Sequence, residues 1–128
     1  MLAPLFASIL PFFLWPIEYF LPLPYLVEEL AKGLLVYVIL RYPLGKQSPY
    51  LLALISGFLF SFSETILYVF NLIEFGNYER ALQRLLSTLI LHAGTMLIMV
   101  YFGKRKITYL PLGIFTGGII HYLWNLLV

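Results

Sequence analysis

The sequence predicts an all-α integral membrane protein: one bundle of about five transmembrane helices, four of which enclose a polar core. Three observations carry this reading. Of the 128 residues, 62% are hydrophobic and only 11% are charged. Mean hydropathy is +0.93. The apolar sequence also falls into runs of about 17 to 25 residues, the length that crosses a hydrocarbon layer at roughly 1.5 Å per helical residue. An ordinary soluble domain, with about a quarter of its residues charged, is excluded.

The five runs lie near 3–20, 24–41, 49–73, 84–103 and 107–127 of a single domain spanning 1–128. The first, within 1–22, carries Pro4, Pro11, Pro16 and Pro22, which predict a kinked or partly re-entrant segment. No basic residue precedes Lys32, whereas a secretory signal opens on positive charge. The first run therefore reads as a retained segment, with Met1 kept in the mature chain. The other runs are separated by the polar breaks "RYPLGKQSP", "EFGNYERALQR" and "GKRK".

Basic residues in short loops set orientation. Arg41 and Lys46 lie in one loop, and Lys104, Arg105 and Lys106 in another two spans later, so both loops share a side and read as cytoplasmic. The loop between them in sequence balances Arg80 and Arg84 with Glu74 and Glu79 and falls on the opposite side. This gives a cytoplasmic N-terminus and an outward C-terminus. A net charge of +2, spread over loops, argues against a nucleic-acid partner. The chain has no cysteine, so disulfides and thiolate metal sites are excluded.

An ionisable group at bilayer depth costs about 2.5 to 3.5 kcal/mol, so each one calls for a partner or a task. The candidates are Glu28, Glu29, Lys32, Glu64, His92 and His121. Polar positions recur at helical spacing on each span. The third has Gly57, Ser61, Glu64, Tyr68 and Asn71; the fourth has Arg84, Thr88, His92 and Thr95; the fifth has Gly113, Gly117, His121 and Asn125. Counted from the outer helix ends, Glu28 and Glu29 lie about 6 Å deep and Glu64, His92 and His121 roughly 10 to 14 Å deep. The alternating helix directions bring them to one pocket near the non-cytoplasmic surface.

Carboxylates and imidazoles around a dry pocket are suited to activating water and stabilising an oxyanion. No GxSxG elbow and no HExxH helix is present. Glu64, His92 and His121 are acceptable zinc ligands, which makes zinc a candidate cofactor, although nothing in the sequence requires one.

"EELAK" (28–32), "FSFSE" (60–64) followed by "ILY", "LHAGT" (91–95) and "HYLWN" (121–125) occur one per successive helix. In that order they resemble the four motifs of PrsW-type intramembrane proteases, within the superfamily of CAAX prenyl proteases and bacteriocin-processing proteins. The resemblance covers roughly residues 24–127 and implies an intramembrane endopeptidase with a four-helix catalytic core. It implies that Glu28 or Glu29 activates the attacking water, that Glu64 positions it, and that His121 and Asn125 stabilise the oxyanion. His92 is the extra histidine of the PrsW branch. The implied substrate is a membrane-anchored protein or peptide in the bilayer, with anti-sigma factors as one type. The chain has EExxK and FxxxE where CAAX proteases usually show EExxxR and FxxxH, so the choice between Glu28 and Glu29 stays open.

Plainer readings stand beside these. The glutamate pair can be a hydrated helix start, the histidines can be buried bridges between helices, and the glycines of the fifth span suit close helix packing. Trp15, Tyr19 and Trp124 fit an interfacial belt, and Arg80 and Arg84 fit solvated positions, with Arg84 able to snorkel toward the stripe of His92. A proton-coupled transporter or channel also uses Glu and His chains, and an inactive protease-like binding or immunity module keeps the same motifs. The absence of an inverted repeat and of a polar stripe running the full membrane thickness counts against transport.

Overall fold

The computed structural model describes residues 2–42, 47–73 and 78–127. They form five α-helices, α1 (Leu2–Phe20), α2 (Pro24–Arg41), α3 (Pro49–Ile73), α4 (Tyr78–Arg105) and α5 (Leu110–Leu127), with a 3₁₀ turn at Ile107–Tyr109. Among the described residues there is no strand. Lys46 and Glu74 lie outside the described residues, as do the side chains of Asn71 and Arg80.

Four helical stretches, Leu2–Phe20, Pro49–Val69, Leu82–Arg105 and Ile107–Leu127, are long and apolar enough to cross a membrane. The exception is α2, which carries Glu28, Glu29, Lys32 and Arg41. Its burial explains how it belongs in the same bundle. Glu28, Glu29, Lys32, Gly33, Val36 and Ile39 face inward, while Leu26, Leu30 and Leu34 are exposed. Helical spacing thus puts the charges on the protein side and leucine on the lipid side, the reverse of a soluble amphipathic helix. The chain is a multi-pass membrane protein.

The first segment is a continuous helix rather than a re-entrant one. Pro4 lies in its first turn, where no intrahelical N–H is required, and Pro22 follows its end; Pro11 and Pro16 lie inside it. Its buried stripe of Ala3, Pro4, Ala7, Pro11 and Leu14 packs on α3 and α2. Helix α2 starts with Pro at its first turn, where the missing donor is harmless. Helix α4 starts at Tyr78, earlier than the apolar run that begins near 84, because Glu79 and its polar neighbours extend the helix beyond the apolar stretch.

Helix α4 lies between α3 and α5, and α2 packs across α5, α4 and α1. Gly57 sets the approach of α3 to α4: a Cβ there would come within 2.6 Å of the Ala93 Cα. Toward the start of α4 this closeness lets side chains meet, and Ser61 Oγ donates to Thr88 Oγ1 at 3.0 Å. At the opposite end from the glutamates, Arg41 and Lys104 line one cleft, consistent with α2 and α4 ending on the same face.

Candidate active site

The polar residues of α2, α3, α4 and α5 converge on one connected network. Lys32, fully buried, donates from Nζ to Glu29 Oε1 and to His92 Nδ1 at 2.7 Å. An ammonium only donates, so His92 accepts at Nδ1 and carries its proton on Nε2. That Nε2–H donates to Glu64 Oε2 at 2.6 Å. On the other side His121 Nδ1–H donates to Glu29 Oε1 at 2.9 Å. The chain Glu64–His92–Lys32–Glu29–His121 thereby joins four helices, with the two imidazole rings edge to face at 5.3 Å.

Close packing fixes this network in place. Phe60 lies 5.1 Å from the His92 ring, with Lys32 Nζ 5.2 Å from the Phe60 centroid. On α5, Gly117 leaves room for Glu29, whose Oε2 would lie 2.8 Å from a Cβ at that position.

Glu28 stands apart from the network. Its Oε2 is buried without a hydrogen-bond partner among the described residues and lies 3.9 Å from His121 Nδ1. Glu28 lines a cavity of about 260 Å³ together with Glu18, Glu64, Tyr68, Arg84 and Asn125. A narrower recess of about 60 Å³ continues along Pro11, Trp15, Glu18, Glu28 and Glu64. Adjacent helical residues point about 100° apart, so Glu28 meets the cavity while Glu29 is committed to Lys32 and His121.

A model of the PrsW family, described as intramembrane metalloprotease, matches residues 16–128. The chain belongs to this family. Neither the curated proteins nor the solved structures give a significant match. As a PrsW-family member the chain is an intramembrane protease of membrane-embedded substrates. The PrsW match starts before α2 and takes in Glu18, so the end of α1 belongs with the protease rather than outside it.

The family description names a metal, and the residues present can hold one. Glu28, His92 and His121 each offer a ligand atom, all within 4.8 Å of one another. The orphaned Oε2 of Glu28 lacks a partner, and His121, donating through Nδ1, keeps its Nε2 lone pair, whereas His92 would join them by releasing Lys32 from Nδ1. This group differs from the Glu64, His92 and His121 set that the sequence offers. Glu64 instead approaches His92 as its hydrogen-bond acceptor, and Glu28 takes its place.

Other expectations shift as well. Asn125 reaches the cavity rim but is exposed, and it makes no side-chain hydrogen bond among the described residues. Trp15 and Trp124, which read as interfacial belt, line the recess and the cavity respectively. Arg84, which reads as solvated, lines the cavity and stacks 3.9 Å over the Tyr68 ring. Glu18 is the residue that sequence reasoning missed. Its signal was available: it is an acid near the end of a segment otherwise uncharged through Leu23.

Proposed function

We propose that the chain hydrolyses peptide bonds of membrane-anchored proteins or peptides by water that Glu28 meets, with Glu29 a structural carboxylate. The observation that carries this is the contrast between neighbours. Glu28 lines the cavity and has a buried Oε2 with no partner among the described residues, whereas Glu29 Oε1 receives Lys32 and His121. Glu29 Oε2 also lacks a partner, but it packs toward Gly117 rather than lining the cavity.

In this reading the substrate's scissile bond enters the cavity, and Glu28 holds the water and accepts its proton. The water oxygen attacks the carbonyl carbon, and the proton then passes to the leaving amine nitrogen. His92 holds Glu64, which lines the cavity, and His121 holds Glu29. Asn125 at the rim meets the entering peptide. A metal held by Glu28, His92 and His121 would supply Lewis acidity and a more acidic water. Glu28 would then be a ligand, which would leave Glu64 as the carboxylate on that cavity outside the metal group. The positive-inside pattern puts this cavity toward the non-cytoplasmic leaflet and the N-terminus in the cytoplasm. Anti-sigma factors are one substrate type that the resemblance implies.

The test uses purified protein in liposomes with a pool of synthetic single-span peptides that vary at the juxtamembrane positions, read by mass spectrometry. Glu28→Gln is expected to abolish cleavage while leaving unfolding close to wild type, and Glu29→Gln to weaken the fold itself. Wild-type cleavage by Glu28→Gln would refute the assignment.

A further inference from the structure

We infer that Arg84 is the donor that stabilises the oxyanion of the tetrahedral intermediate, an assignment that rests on the proteolytic reading of the cavity. Hydrolysis needs two opposite features around one carbonyl: an acceptor for the water's proton and a donor for the oxygen that becomes negative. Among the described residues that line this cavity, Glu28 carries a buried unpartnered acceptor, Oε2, and Arg84 a buried unpartnered donor, Nε.

The charged and imidazole donors elsewhere in the site are engaged, and the Tyr68 and Trp124 donors that line the same cavity are neutral. Lys32 is occupied by Glu29 and His92. His92 Nε2–H serves Glu64, and His121 Nδ1–H serves Glu29. Asn125 is exposed at the rim. Arg84 makes no ion pair among the described residues, although Glu18 and Glu64 line the same cavity. A buried donor left without an acceptor is destabilising, so its retention asks for a bound one.

Its mounting suits that role. The guanidinium lies 3.9 Å over the centroid of Tyr68, which fixes its plane and leaves the N–H edge for an oxygen. The cavity walls also include Glu18, Glu28 and Glu64. Negative charge developing on a carbonyl oxygen among those acids needs a cation beside it, and Arg84 is the cation on that wall.

The same liposome assay with the single-span peptide pool tests this. Arg84→Met is expected to lower kcat about 10²- to 10³-fold, the usual effect of removing an oxyanion donor, with KM changed by less than about threefold. Arg84→Lys should recover part of the rate, and guanidinium in the buffer should partly rescue Arg84→Ala. A wild-type kcat in Arg84→Met, a defect confined to KM, or a rate loss that neither lysine nor guanidinium relieves overturns the assignment. If wild type cleaves, Glu28→Gln does not and Arg84→Met matches wild type, only the role of Arg84 falls. If wild type cleaves no peptide in the pool, the proteolytic reading falls together with it.

Discussion

Replacing Lys32 by methionine separates insertion from folding, because the two respond with opposite sign. In the folded bundle Lys32 is wholly buried, donating to Glu29 and, at 2.7 Å, to His92. Its loss leaves the Glu29 carboxylate with His121 alone, at 2.9 Å. Removing one partner of a buried pair costs about 3 to 5 kcal/mol, because a charge stays behind without its counter-charge. Insertion of α2, by contrast, should improve, since the lysine opposes it by about 2.5 to 3.5 kcal/mol. Folded stability can be followed by titrating SDS into mixed micelles and recording the fluorescence of Trp15 and Trp124, and insertion by glycosylation mapping in microsomes. Adding Glu29→Met to Lys32→Met removes the orphaned charge, so the double variant should be more stable than Lys32→Met alone. A Lys32→Met protein within about 1 kcal/mol of wild type, or a double variant whose loss is the sum of the singles, would show that the pair is not the buried tie described here.

Three further outcomes follow from the same geometry. Gly57→Ala should destabilise the bundle by about 1 to 3 kcal/mol in the same titration, because its methyl meets the Ala93 backbone, and Gly57→Ile should lose more. Zinc affinity, measured by competition with a chromophoric chelator, should fall at least about 10-fold in His121→Ala and in Glu28→Gln; unchanged affinity in both variants argues against the Glu28, His92 and His121 group. Because the chain has no cysteine, single cysteines at Lys106 and Glu79 can be labelled with an impermeant maleimide in intact cells. Glu79→Cys should label and Lys106→Cys should not, and the opposite pattern inverts the proposed orientation.

Much of this architecture was legible in the sequence because lipid imposes simple rules. Apolar run length placed α2 and α3 with their observed bounds, and spacing by three and four put Glu64, His92 and His121 on inward faces. The pairings were not legible. Lys32 reaches both Glu29, one turn behind it, and His92, 60 positions away, and only the packing of α2 on α4 brings the second about. Glu18 escaped because α1 showed prolines and aromatics rather than a polar stripe, so its single acid looked like part of a segment boundary. Arg84 looked solvated because it opens an apolar run; the ring of Tyr68 on α3 is what holds it at the cavity.

The charge pattern of α2 also ties assembly of the site to its presence in the membrane. Taken alone, Glu28, Glu29 and Lys32 would oppose insertion by about 8 to 10 kcal/mol at full depth, while each outward leucine returns only about 0.3 to 0.6 kcal/mol. The helix is therefore stable in lipid only against partners that receive those charges: His121 on α5, and His92 on α4 with Glu64 of α3 behind it. The residues that hold α2 in the bundle are the residues of the candidate site. An α2 docked in register thus brings Glu28 to the cavity, and an α2 out of register leaves its charges facing lipid. The carboxylate proposed to meet water reaches its position only when the whole bundle has closed around it.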